Sequence, residues 1–289
     1  TAGSENTSIG SSAGYLMVAG VRNVAIGTNS LYYGAAQKTV AIGYEAGRYA
    51  TGSFNTFVGP QAGVGGTTSA PYSSGQYNTA LGYRALDAFT TAGSNIAIGV
   101  DALTTLSTAS NNLAIGNYAM QYFTSGATGN GQNTIVGHNA GKGSSGNTTG
   151  EFNTALGYNA LNALTSGGSN VAIGRSAAAG LTTGGVNTII GRDAGGSLTG
   201  TGDTVLIGYA AGGAINSTDA NGTVAIGREA GTAITSGQRS TLLGYRAGKQ
   251  ITTAPDNTLV GNQAGMDLTF GKENTFIGSE AGANVTTAS

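Results

Sequence analysis

Apolar and polar positions along this chain return together about every 17 residues, sixteen times. Each return centres on a glycine: Gly10, Gly27, Gly43, Gly59, Gly82, Gly99, Gly116, Gly137, Gly157, Gly174, Gly191, Gly208, Gly227, Gly244, Gly261 and Gly278. Nine of the fifteen gaps are 17 residues and two are 16, so the longer gaps read as insertions into one repeating unit. Self-similarity at this period is the signature of a solenoid, in which each unit buries its apolar side chains against its neighbours. With the glycine numbered zero, position −1 is Ile, Leu or Val in all sixteen copies and position +3 is Ala in fifteen. Position +7 is large and apolar in twelve. These three positions are expected to line the interior of a coil. The β-branched segment from −4 to −1, ended by glycine, predicts a short strand, and a second strand is expected over about +5 to +8.

The fold class that follows is all-β: a parallel β-solenoid, or β-roll, of sixteen units in a single domain over residues 1–289. At the usual strand spacing it would be a rod of roughly 75 Å. Position −4 is Asn in twelve copies, and an Asn at one corner of every coil can bond its equivalents above and below. The expected structural ladder contains Asn23, Asn55, Asn78, Asn95, Asn112, Asn133, Asn153, Asn170, Asn187, Asn257 and Asn274.

Positions −2 and +4 vary together. Where −2 is large (Phe57, Ile135, Ile189, Leu206, Leu242, Leu259, Phe276), +4 is Gly in all seven copies. Where +4 is large (Leu31, Leu86, Leu103, Met120, Leu161), −2 is Ala in all five. The two side chains compete for one volume, as close packing requires. Because −2 alternates with −1, that volume is expected outside the coil, and apolar groups on both faces of one strand mean that both are covered. A second chain is the expected cover, so a homo-oligomer is expected.

The repeats resemble two related sequence types. Asn23-Val24-Ala25-Ile26-Gly27, Thr39-Val40-Ala41-Ile42-Gly43, Asn170-Val171-Ala172-Ile173-Gly174 and Thr223-Val224-Ala225-Ile226-Gly227 resemble the heads of trimeric autotransporter (YadA-like) adhesins. The runs Asn78–Leu86 and Asn153–Leu161 resemble the NTAIGYxAL repeats of phage tail-fibre and bacterial surface fibre proteins. The resemblance covers about residues 5–289 and implies a left-handed parallel roll, three chains around one axis and a role in adhesion. The 17-residue period is longer than is usual in the adhesin heads, and no stalk heptads, anchor barrel or chaperone domain accompany the repeats.

Composition narrows the function. Charged residues are only 9% of the chain, the net charge is −1 and no basic block exists, so nucleic acid is not an expected partner. With 0 cysteines there is neither a disulfide nor a thiolate site, and no cofactor or metal is expected. No apolar run approaches the ~20 residues needed to cross a bilayer. The chain begins at Thr1 with no signal-peptide pattern, and the missing initiator Met suggests a processed product or an excised fragment. One histidine, His138, sits at +1 of an ordinary repeat, and no nucleophilic set can be assembled around it.

Position +1 carries the candidate surface chemistry: Tyr44, Tyr83, Tyr158, Tyr209 and Tyr245, with Arg175, Arg192 and Arg228 in other copies. Stacked coils would make this an exposed column for a glycan or cell-surface receptor, or a corner that tyrosines shield. Tyr72, in the insertion from Val64 to Tyr77 with Pro71, and the loop around Gly126–Gly131 are further candidate recognition surfaces. The function these features favour is a non-enzymatic structural and adhesive fibre segment, extracellular, at a cell surface or on a virion. The alternative is a self-assembling filament subunit stacking head to tail. An ice-binding solenoid using the Thr column at +8 is a more distant rival.

Overall fold

A computed structural model describes residues 3–34, 36–66, 72–124, 131–144 and 148–287. The chain is an all-β parallel solenoid whose sixteen strands fall in two compact units, Thr1–Glu151 and Phe152–Ser289. The first unit contains β1 (Thr7–Ile9), β2 (Val24–Ile26), β3 (Val40–Ile42), β4 (Thr56–Val58), β5 (Thr79–Leu81), β6 (Ile96–Ile98), β7 (Leu113–Ile115) and β8 (Thr134–Val136). The second contains β9 (Thr154–Leu156), β10 (Val171–Ile173), β11 (Thr188–Ile190), β12 (Val205–Ile207), β13 (Val224–Ile226), β14 (Thr241–Leu243), β15 (Thr258–Val260) and β16 (Thr275–Ile277). Within each unit every strand pairs in parallel with its sequence neighbours, in the register of the repeat, as in Ala172 opposite Ile189 and Ile189 opposite Leu206. Pro71 and residues 126–130, named above as recognition surfaces, lie outside the described residues.

Each strand is three residues long and its middle residue, at −2, points into the coil. Ala25, Phe57, Ala97, Ile189, Leu206 and Leu259 are all fully buried. The inward assignment of −1 is therefore corrected: strands alternate, so −1 and −3 point out, and Leu81, Leu156 and Leu243 are 46%, 50% and 44% exposed. Positions +3 and +7 do face inward, for example Ala177, Ala194, Leu181 and Ile234. The error has a simple origin. With apolar groups on both faces of a three-residue strand, invariance at −1 gives no information about parity.

The second strand expected over +5 to +8 does not form; from the anchor glycine to about +6 the chain is a run of turns. In the β10 coil, Ala177 N–H donates to the Gly174 carbonyl at 3.3 Å, and Leu181 N–H to the Ala178 carbonyl at 3.1 Å. Between them the backbone alternates into the left-handed region at +2 and +4, as at Ser176 (φ 55) and Ala178 (φ 50). A pleated strand cannot contain such residues. Left-handed conformation costs an ordinary residue about 1–2 kcal/mol, yet Leu31, Leu86, Leu103, Met120 and Leu161 all adopt it at +4. Coil-to-coil bonding offsets that cost: Leu161 N–H donates to the Ala177 carbonyl at 3.1 Å, and Ser176 N–H to the Tyr158 carbonyl at 2.8 Å.

The +4 side chains also point inward, toward the −2 side chain of the same coil and of the next. A Cβ built on Gly212 would lie 2.8 Å from Leu206 Cδ2 and 2.9 Å from Ile215 Cδ1. The compensation between −2 and +4 is thus a packing rule of the coil interior and not of a space between chains. The anchor glycines form the tightest corner. Gly174 has φ +131, and a Cβ there would sit 2.7 Å from the carbonyl carbon of Gly191 in the next coil. Only glycine satisfies both constraints.

The −4 side chains lie inside the opposite corner and bond along the stack. Asn170 Nδ2 donates to Asn153 Oδ1 and to the Gly184 carbonyl, both at 3.0 Å. Its Oδ1 in turn accepts from Asn187 N–H at 3.1 Å and from Asn187 Nδ2 at 2.9 Å. The first unit repeats this from Asn78 through Asn95 and Asn112 to Asn133. Where −4 is Thr or Ser the chain of bonds continues through a hydroxyl, as from Asn55 N–H to Thr39 Oγ1 and from Asn257 N–H to Ser240 Oγ.

Candidate functional site: an open sheet face and a basic-aromatic corner

Two surfaces follow from this backbone. The first is the outer face of the strands. Positions −3 and −1 carry only Thr, Val, Ile and Leu in every repeat, so the face bears neither a charge nor an amide. Ile42, Leu81, Ile96, Leu156 and Leu243 stand out from it as exposed apolar side chains. Exposed apolar residues scattered singly are ordinary, but coil stacking sets the −1 side chains of each unit in a column, and an apolar column is a candidate interaction surface.

The second surface is the corner at +1 and +2, just past the anchor glycine. In the second unit Arg192 lies over the Tyr209 ring at 4.4 Å, and Arg228 lies 5.5 Å from the same ring. Arg228 is also 6.0 Å from the Tyr245 ring, and Arg246 is 4.8 Å from it. The sequence order Arg192, Tyr209, Arg228, Tyr245 is thereby a column in which guanidinium groups and rings alternate, closed by Arg246 at +2 of the same coil as Tyr245. Carboxylates tie its base. Asp193 is 3.7 Å from Arg175 and 3.4 Å from Arg192, and Glu229 is 3.4 Å from Arg228. Lys249 Nζ and Arg246 Nε each reach Glu229 Oε2 at 2.9 Å. Hydrogen bonds from Lys249 and then Arg246 hold the Glu229 carboxyl down at about 2. Tyr158 at +1 of the first coil of this unit is exposed.

In the first unit Tyr44 and Tyr83, at the same repeat position, are exposed, and Arg84 stands 6.0 Å from the Tyr83 ring. Arg84 also lies 3.5 Å from Asp101 and 3.8 Å from Asp87. Burial pushes the Asp87 carboxyl up, against the pull of Arg84. Tyr72 does not join this column. Its ring stacks on Tyr33 at 4.6 Å and lies 6.1 Å from Tyr49, in a cluster that also contains Tyr15 and Tyr32. Arg48 covers Tyr49 at 5.0 Å. That cluster went unread from the sequence, although its signal was there: Tyr15, Tyr32, Tyr33 and Tyr49 all fall at +5 or +6 of the first three repeats. Arg246 and Lys249 were missed because they sit at +2 and +5, away from the column under consideration.

The Thr column at +8 spends its hydroxyls internally. Thr165, Thr182 and Thr269 donate to carbonyls of the next coil at 2.9, 3.0 and 2.9 Å. His138 is exposed. Among the described residues no group of three or more His, Asp or Glu is placed to hold a metal ion, and no helix is long and apolar enough to cross a membrane. Compared with protein-family models, with curated proteins and with solved structures, the chain has no significant match.

Proposed function

We propose that this chain is a non-enzymatic structural segment of an extracellular fibre, at a cell surface or on a virion, assembled from copies of itself. The observation that carries the reading is the open column of Ile, Leu and Val at −1. Its rows follow the coil spacing of the solenoid, so the surface that matches it row for row is the same face of another copy. Fully burying an exposed side chain of this size contributes about 1.5–3 kcal/mol; from β2 to β15 these are already half-buried or more, so each contributes a fraction of that and the column supplies the sum. Three copies around the column is the number implied by the resemblance of the repeats to trimeric adhesin heads. In such an assembly the solenoid supplies length and stiffness, and the corner of Tyr and Arg side chains faces a glycan or cell-surface receptor.

Ile173 tests the reading, because it separates the outward from the inward assignment of −1. Were −1 interior, Ile173→Asp would unfold its coil. On the observed geometry it leaves the far-UV circular dichroism unchanged and separates the copies. Light scattering is expected to give three chains for the wild type and a smaller number for Ile173→Asp. A wild-type monomer at micromolar concentration, or a variant with unchanged chain number, would end the proposal.

A further inference from the structure

The corner of the second unit carries more positive charge than it neutralises. Arg175, Arg192, Arg228, Arg246 and Lys249 share two carboxylates, Asp193 and Glu229, which leaves an excess of three positive charges (five less two). In a chain whose net charge is −1 this is a local concentration and not a general property. The side chains of Arg175, Arg192 and Arg228 remain 60%, 56% and 60% exposed despite these pairings.

The Tyr rings decide how the charge is presented. Tyr209 is flanked by Arg192 and Arg228, and Tyr245 by Arg228 and Arg246. A guanidinium held beside a ring is restrained in position, and the N–H groups that its carboxylate partner does not use are available to bind sulfate or carboxylate groups. Less side-chain freedom is then lost on binding than with a mobile lysine. Because +1 residues of successive coils follow one another at the coil spacing, the donors form a straight row along the stack. A ligand that uses the row must be linear, extended and repeatedly anionic.

We infer that this corner of the second unit binds a linear anionic glycan, one bearing sulfate or uronate groups along its length. Single-stranded nucleic acid is the competing polyanion. It draws much of its affinity from bases stacked on open aromatic faces, and here guanidinium groups lie over the faces of Tyr209 and Tyr245. A sulfated or uronate glycan needs no such faces. The inference rests on the surface-fibre reading for its setting alone, since all of the named side chains belong to one unit of one chain.

The experiment uses the full chain in its native oligomeric state, with a heparin oligosaccharide, neutral dextran and oligo(dT) of matched length as probes. Binding is measured by titration calorimetry at low salt and near physiological ionic strength. The wild type is expected to bind heparin, to ignore dextran and to bind oligo(dT) at least about tenfold more weakly. Arg192→Gln with Arg228→Gln should weaken heparin binding at least about tenfold and flatten its salt dependence, because fewer charges remain to be screened. Arg22→Gln, a change in the exposed pair with Glu5 on the first unit, should leave heparin binding unchanged. Circular dichroism and light scattering on the same samples are expected to show the fold and chain number of the double variant intact. Those readouts separate this inference from the assembly reading, which the Ile173 variant addresses. Absence of heparin binding by the wild type, equal heparin binding by the double variant, or oligo(dT) bound as tightly as heparin would each overturn the inference.

Discussion

Moving one leucine across the interior of a coil tests the packing rule that links −2 and +4. Leu206 at −2 is fully buried, and Gly212 at +4 faces it with φ +59. Replacing Leu206 with Ala removes a buried side chain, at a cost of about 2–5 kcal/mol. Replacing Gly212 with Leu adds atoms where even a Cβ would lie 2.8 Å from Leu206 Cδ2. Overpacking of that kind costs about 1–3 kcal/mol, and the left-handed backbone adds about 1–2 kcal/mol for a non-glycine residue. The separate costs sum to roughly 4–10 kcal/mol. Together the two changes recreate the Ala155 and Leu161 pair, which the protein already holds with Leu161 buried at φ 51. The double variant should therefore lose only the left-handed strain, about 1–2 kcal/mol. Urea unfolding followed by circular dichroism on the four proteins gives the coupling energy of the cycle. A double variant as unstable as the sum of the single changes would refute the shared interior volume. So would a Gly212→Leu protein as stable as the wild type. Association is a separate readout, because the volume lies within one chain and both Leu206→Ala and Gly212→Leu should keep the wild-type chain number wherever they fold.

Two further outcomes follow from the corners of the coil. Asn170→Ala removes two donated and two accepted bonds at a buried site, and at about 1–3 kcal/mol for each group left unpaired the melting temperature should fall by several degrees; Asn170→Thr should lose less, since Thr204 holds the equivalent place with its hydroxyl 2.7 Å from Asn187 Oδ1, and equal losses would refute the ladder as a bonding element. The Glu229 carboxyl is held at about 2 against an ordinary value of 4.5, so its contribution to stability is present above pH 4.5 and is lost as the pH falls through about 2; a carboxyl carbon resonance that titrates near 4.5 in an NMR titration would contradict the pairing with Lys249 and Arg246.

The sequence by itself determined the architecture, because a repeat proclaims a solenoid through spacing alone and the spacing needs no knowledge of which way a side chain points. It also identified the −4 asparagines, whose position at one corner of every coil follows from their recurrence, and the pairing of large with small at −2 and +4, which close packing writes directly into composition. What it left undetermined was direction. A strand of three residues with apolar groups on both faces contains no alternation from which to choose an inner side. Ile173 and Ala172 exchanged places only when the tertiary structure showed Ala172 buried and Ile173 turned outward. The same limit applied beyond the anchor glycine. Leu161 and Ala178 are unremarkable as letters, and only hydrogen bonds to the next coil, such as that from Leu161 N–H to the Ala177 carbonyl, force them into left-handed conformations that abolish the expected second strand. The corner was half visible: recurrence at +1 gave Tyr209, Arg192 and Arg228, but Arg246 and Lys249 joined them only through coil stacking, which brings different repeat positions of neighbouring turns onto one carboxylate, Glu229.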